Sequence, residues 1–300
     1  MKKIFFLLIQ FCAVGIYAQQ EAQYTHFAFN RMAYNPAYAG SKSDLVLGGI
    51  YRHQWFNLPT APHSANIWAH KAFMKDKVGA GISIQRDQLG LTENYNATLN
   101  YAYRMKVANG NLSVGIRAEG EYNRFDWSKA DPADIVDNSI GNYNARMAPN
   151  FGAGLYYQSK SIFFGLSAPR FFKNALYSKK PNGRDQRTYF GMAGALIALN
   201  QQVKFSPSIL FTYNKSAPTA IDFNANLIIL NKIWVGGSYR TTDSFDALLQ
   251  YQANPATRVG IAYDFTTSSI RKNTTGSIEV MMEYTFCGCA NEKVKNIRFF

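Results

Sequence analysis

Four histidines, His26, His53, His63 and His70, are the only imidazoles in this 300-residue chain. Nucleophilic chemistry needs a base within hydrogen-bond reach of the attacking group, and His70 shares an alternating stretch with Ser64 and Asn66 while His53 falls in the preceding segment. A Ser-His-Asn hydrolase can be drawn from these residues. No Gly-x-Ser-x-Gly elbow accompanies them, and polar residues on one face of a strand are expected without any chemistry. Cys287 and Cys289 could serve a metal or redox role, but two thiols make an incomplete zinc site, and they close a ring too small for a comfortable disulfide. Asp126, Asp131, Asp134 and Asp137 could supply oxygens to calcium. Their spacing lacks the glycine and terminal glutamate of an EF-hand, and a solvated acidic loop accounts for them. No catalytic residue, cofactor site or metal site is assigned, and an enzyme is not expected.

The elements that would have to position such residues are of one kind. Lys2 and Lys3 precede an apolar run over residues 4–16 that ends in small and polar residues near Ala18, the pattern of an export signal covering residues 1–18. The mature chain is expected to begin near Gln19. The run is about thirteen residues long, and a helix crossing the hydrocarbon core needs about twenty. Cys12 follows Ile9-Gln10-Phe11, which lacks the small residues of a lipidation site. Beyond residue 20 the uninterrupted apolar stretches, such as residues 193–198, reach only about six residues, so the only route across a membrane is a closed β-barrel, which satisfies every backbone polar group internally. The composition of 15% aromatic and 17% charged residues fits that route, since soluble domains carry about 25% charged residues.

From residue 44 the chain divides into segments rich in Tyr, Phe, Ile, Val and Gly, separated by Asn, Gly, Pro, Lys or Asp. About fourteen are counted, near 44–54, 62–72, 77–86, 93–107, 111–125, 149–158, 161–170, 187–198, 202–214, 218–230, 233–241, 244–253, 256–266 and 277–286. Bacterial barrels use even strand numbers with strands of about nine to eleven residues. The expected fold is therefore all-β, a single transmembrane antiparallel barrel over residues 44–286, preceded by an N-terminal segment at 19–43 and followed by a periplasmic tail at 287–300.

Strand side chains alternate between faces. In the segment at 111–125 this puts Leu112, Val114, Ile116, Ala118 and Tyr122 against lipid and Ser113, Arg117, Glu119, Glu121 and Asn123 in a polar lumen. The last strand likewise sets Ile278, Val280, Met282, Tyr284 and Phe286 against Ser277, Glu279, Met281, Glu283 and Thr285. Segments 161–170 and 227–235 alternate poorly. Trp55, Trp127, Tyr156, Tyr157, Trp234 and Tyr239 are expected to face outward in the interfacial girdles. Every second connection is short, at residues 73–76, 108–110, 159–160, 199–201, 231–232 and 254–255, whereas the other set holds the long ones, 126–148, 171–186 and 267–276, although its connections near Lys215 and Thr242 are also short. Periplasmic turns are short and external loops long, which orients the barrel with both termini periplasmic.

The net charge of +13 is dispersed, with its longest run at Lys179-Lys180 near Arg184 and Arg187. Dispersed charge and an export signal argue against a nucleic-acid partner. The functional reading of the charge is contact with an acidic partner or anionic outer-membrane lipids; solvated loops are the alternative.

The stretch Asn35-Pro36-Ala37-Tyr38-Ala39-Gly40, within Phe29-Asn30-Arg31-Met32-Ala33-Tyr34 and onward to Ser41, resembles the N-terminal signature of the PorP/SprF family of type IX secretion proteins of the Bacteroidetes. Further matches are Tyr51-Arg52-His53-Gln54-Trp55, Val78-Gly79-Ala80-Gly81, Pro149-Asn150-Phe151-Gly152-Ala153-Gly154-Leu155-Tyr156-Tyr157, Phe164-Gly165-Leu166-Ser167 and Asn296-Ile297-Arg298-Phe299-Phe300. The resemblance implies an outer-membrane barrel that docks the C-terminal signal domain of one large secreted surface protein, an adhesin for example. It also implies contacts with the translocon and its periplasmic components. A channel or transporter for small solutes or lipids is the alternative. The long loops carry Trp127, Phe171, Phe172 and Tyr177 as candidate partner-binding anchors, because interface hot spots favour aromatics. Physically, Asn35-Pro36 favours a turn and Gly40 permits a positive φ. The surrounding aromatics Tyr24, Phe27, Phe29, Tyr34 and Tyr38 are spaced too irregularly for a strand, and they are expected to pack into the periplasmic mouth as a partial plug.

Overall fold

The computed structural model describes residues 23–125, 146–173, 187–215, 217–241 and 243–286. Its strands are β1 (Leu45–His53), β2 (His63–Phe73), β3 (Val78–Leu89), β4 (Thr92–Val107), β5 (Gly110–Phe125), β6 (Arg146–Ser159), β7 (Ile162–Ala168) and β8 (Thr188–Ala195). They continue as β9 (Ile197–Ala198), β10 (Val203–Asn214), β11 (Ala220–Ile229), β12 (Ile233–Arg240), β13 (Ser244–Gln252), β14 (Thr257–Thr266) and β15 (Ser277–Phe286). One α-helical turn, α1 (Arg31–Tyr34), and a 3-10 turn (Pro36–Tyr38) precede them.

Each ring strand pairs antiparallel with the next, β8 with β10, and β15 returns to β1 with Leu45 opposite Phe286 and His53 opposite Ile278, closing a ring of fourteen strands. Closure removes the sheet edges that lipid could not solvate. The segment expected as one strand at 187–198 breaks at Leu196, whose amide still donates to the Ser161 carbonyl at 2.7 Å in the register of β7 with β8. The two-residue β9 then resumes along β10 in unchanged register and stands outside the ring count.

Alternation behaves as expected. In β5, Ser113, Arg117, Glu119 and Glu121 are buried while Val114, Ile116 and Tyr122 are exposed. In β15, Glu279 is buried and Val280, Met282 and Phe286 are exposed. This exposed surface is a continuous apolar band, and on a folded protein a band that large faces lipid. Short turns gather at the end where β1 begins and β15 ends. The opposite end includes a tight connection, where β3 runs three residues beyond the expected 77–86 to Leu89 and Gly90, at φ +60°, turns directly into β4.

Two girdle assignments are corrected. Tyr156 and Trp234 are 1% and 3% exposed and point into the lumen. Tyr156 and Tyr157 are consecutive on a strand, so only one ring can face lipid. The other finds apolar company inside because the lumen is not purely polar. Of the remaining rings, Tyr239 is 38% exposed on the outer face, and Trp127 lies outside the described residues.

Candidate functional site

The lumen is filled by the chain's own N-terminal segment. Tyr24, Phe27, Phe29, Met32, Tyr34 and Tyr38 are buried there and share one cluster with the inward-facing Ile50, Trp68, Tyr156, Phe163, Phe190, Met192, Leu210 and Met281. The aromatic segment plugs the barrel as its composition predicted, and it fills more than the mouth. Thr25 and His26 bond to residues near the long-loop ends of β1, β14 and β15, whereas Gly40 lies against Gly79 near the short-turn end.

At the long-loop end the Thr25 and His26 amides donate to the Glu279 carboxylate at 2.9 and 2.7 Å, and the His26 ring lies 2.7 Å from the same oxygen. Arg52 pairs with Asp264 at 2.5 Å and Glu279 at 3.3 Å and donates to the Thr25 hydroxyl at 2.8 Å. All four of these charged or imidazole side chains are at most 1% exposed. Buried charges persist only when paired and hydrogen-bonded, so this cluster holds the plug and the wall together. Halfway down, Arg117 donates to the carbonyls of Met32 and Ala33. Arg31 donates to Tyr156 at 3.1 Å and lies over the Phe163 ring at 3.9 Å. The Tyr34 hydroxyl accepts from the Tyr24 amide at 3.0 Å.

The six signature residues form the lower contact. The Asn35 side chain caps the 3-10 turn by accepting from Ala37 N at 2.9 Å, and its amide donates to the carbonyls of Leu155 and Leu166 at 2.9 and 3.3 Å. Pro36 opens the turn, where a missing N–H costs nothing. Tyr38 meets the rings of His70 and Tyr156 edge-on at 5.5 and 5.4 Å. Gly40, at φ +65°, crosses Gly79 so closely that a Cβ on Gly79 would collide with the Ala39 carbonyl. A Cβ on Gly115 would strike the Ala37 backbone in the same way, while one on the outward Gly120 would meet only Met147 at 3.6 Å. Gly115→Val is therefore expected to destabilise the folded barrel by about 1–3 kcal/mol through overpacking, with Gly120→Val nearly silent. Thermal unfolding of the two variants in detergent checks this. Equal midpoints would contradict the close contact.

At the long-loop mouth, Phe171 and Phe172 are 40% and 51% exposed. Their amides both donate to the Asn150 side-chain oxygen at 3.0 Å, and the Asn150 amide donates to the Phe172 carbonyl at 3.0 Å. Arg170 pairs with Glu119 at 2.6 Å beneath them. The backbone carrying these two rings is thus pinned to the wall while the rings stay open. Trp127 and Tyr177 lie outside the described residues, as do the aspartates at 126, 131, 134 and 137, the cysteines at 287 and 289, the signal at 1–18 and the tail at 287–300.

The drawn hydrolase does not assemble. Ser64 and His70 share the lumen face but lie six residues apart along β2, on the order of 20 Å. His53 and His63 are neighbours on the outer face, with ring centroids 4.1 Å apart. What sequence reasoning missed is the clamp of Arg52, Asp264 and Glu279. Its signal was present as charges on lumen-facing positions.

A family model described as type IX secretion system membrane protein PorP/SprF matches residues 16–284. No curated protein matches the sequence. Among solved structures, a deletion mutant of the monoaromatic hydrocarbon channel TodX is similar at TM-score 0.52 and 10% identity, covering 88% of this chain and 94% of that one. Omp33 of Acinetobacter baumannii is similar at TM-score 0.49 and 10% identity, covering 82% of this chain and 100% of that one. The Ralstonia pickettii toluene transporter TbuX gives TM-score 0.48 and 10% identity over 85% and 92%. At such identity the TodX likeness concerns the fold alone.

Proposed function

The chain belongs to the PorP/SprF family of type IX secretion system membrane proteins, and from that premise we propose that this outer-membrane barrel is a docking platform. Its occupant is the C-terminal signal domain of a large secreted surface protein, received at the long-loop mouth and held during export or surface attachment. The short turns and the carboxyl end of β15 face the periplasm, where the translocon and its periplasmic components have access. The expectation of a periplasmic amino terminus concerns residues ahead of 23, outside the described ones.

The observation that carries this reading is the filled lumen. Residues 24–40 occupy it from one end to the other with buried aromatic and ionic contacts, so a solute pathway would require that the clamp and the aromatic packing come apart. A filled barrel still offers its rim, and Phe171 and Phe172 sit there on a pinned backbone. Exposed aromatics on a rigid support are the usual energetic centres of an interface.

Deleting the gene is expected to remove one large adhesin from the cell surface while small-solute uptake stays intact, read by surface proteomics and uptake assays; the reverse pattern sinks the proposal. For the anchors, Phe171→Asp with Phe172→Asp is expected to weaken capture of a signal domain by tenfold or more, since hot-spot truncations cost about 2 kcal/mol or more. Affinity purification of the tagged full-length chain, quantified by mass spectrometry, checks it, and undiminished capture would exclude these rings.

A further inference from the structure

We propose that the outer wall of β3, β4 and β5 carries a site for a phosphorylated lipid headgroup of the outer leaflet, formed by Arg86 and Arg124 around Glu93. The assignment to the outer leaflet rests on the orientation proposed above. The site itself rests on register and side-chain geometry.

In these three strands, cross-strand neighbours share a face. Starting from the short-turn end, the outward rows are Met105 with Leu112, then Val78, Tyr103 and Val114, then Ala80, Tyr101 and Ile116, then Ile82, Leu99 and Ala118, then Ile84, Ala97 and Gly120. Five rows of tilted strand span roughly 25 Å, the height of the apolar band of a membrane barrel. The next row is Arg86, Tyr95 and Tyr122, and the one above it is Gln88, Glu93 and Arg124. Two cations therefore stand on the lipid-facing wall at the level of the aromatic girdle, where headgroups begin.

The cluster is built. Glu93, with its side chain 3% exposed, accepts from Arg86 Nη2 at 3.0 Å and pairs with Arg124 Nη2 at 3.0 Å through its other oxygen. Arg86 is further fixed by its Nε donating to the Tyr95 hydroxyl at 3.1 Å, by Gln88 at 3.1 Å, and by the Tyr95 ring 5.8 Å away. Yet the two guanidinium side chains remain 46% and 47% exposed. One carboxylate thus sets the positions of two guanidiniums that both stay open to the surroundings. Planar guanidiniums bind phosphate oxygens bidentately, and a cation at headgroup depth meets anionic lipid. Wall position selects the occupant. Anything reaching these arginines approaches along the membrane plane, beside the barrel and not over its mouth.

The test uses the full-length barrel in phosphatidylcholine nanodiscs doped with bis-phosphorylated lipid A or with its dephosphorylated form, and reads bound lipid by native mass spectrometry. Retention of the phosphorylated form is expected to exceed the dephosphorylated one by about tenfold. Arg86→Gln with Arg124→Gln is expected to abolish that preference, and Glu93→Gln, which removes the competing carboxylate, to preserve or increase it. Heat-modifiable gel migration verifies that each variant is a folded barrel. Equal retention of both lipids by the parent, or an unchanged preference in the double arginine variant, overturns the site. So does full displacement by inorganic phosphate at equal concentration, which would mark a generic anion patch. Because the signal domain is absent from this assay, its failure leaves the docking reading untouched.

Discussion

Excising residues 23–39 is expected to turn a closed barrel into an ion-conducting one in planar bilayers while the barrel still assembles. Eight-stranded barrels are filled by their own side chains, and barrels of sixteen to eighteen strands leave an aqueous channel. At fourteen strands the filling here comes from a separate segment. The ring does not depend on that segment for its backbone hydrogen bonds, since each of the fourteen ring strands pairs with two neighbours and β15 closes on β1. Stability should fall all the same. Tyr24, Phe27, Tyr34 and Tyr38 are each at most 4% exposed, and burial of one large apolar side chain contributes about 1.5–3 kcal/mol. The excised variant should therefore unfold at lower temperature and show current steps that the parent lacks. Parent-like silence together with a parent-like melting temperature would exclude the segment as the element that closes the lumen.

The second large effect is expected at Arg52. Replacing it with methionine keeps much of the volume but leaves the carboxylates of Asp264 and Glu279 buried without their guanidinium, with the Thr25 and His26 amides and the His26 ring still on Glu279 and the Thr25 hydroxyl on Asp264. Removing one partner from a buried ionic cluster costs about 3–5 kcal/mol, because the residual charge keeps its desolvation penalty. The lower denaturation midpoint of Arg52→Met should be partly restored by Asp264→Asn in the same chain. A double-mutant cycle isolates that coupling, which for contacting groups is about 0.5–3 kcal/mol. The upper plug should also become protease-sensitive, since Thr25 loses its 2.8 Å bond to the guanidinium. An Arg52→Met protein with the parent's midpoint and a protected plug would show that the clamp contributes nothing.

Much of this was legible in the chain. The hairpins of β4 with β5 and of β11 with β12 are local, so turn residues and period-two alternation place them without reference to anything distant. The signature Asn35-Pro36 turn with Gly40 at positive φ is local for the same reason. The poor alternation at 161–170 has a structural cause. Phe163 faces inward to meet Arg31 and Tyr156, and an apolar ring facing the lumen is the trace that a plug leaves in a strand's pattern. Reading Tyr156 and Trp234 as outward failed because an aromatic near a strand end suits an interfacial girdle and a plugged lumen equally well.

The strand ladder, its facing and the turn that begins the plug are therefore written locally, as properties of neighbours a few residues apart. The pairing of Leu45 with Phe286, the seating of Thr25 and His26 on Asp264 and Glu279 and the contact of Ala37 with Gly115 arise only when the ring closes. Alternation says which face a side chain occupies and never what lies across the lumen from it. That second fact arises when ring closure brings distant strands around one segment and leaves each buried charge a single set of partners.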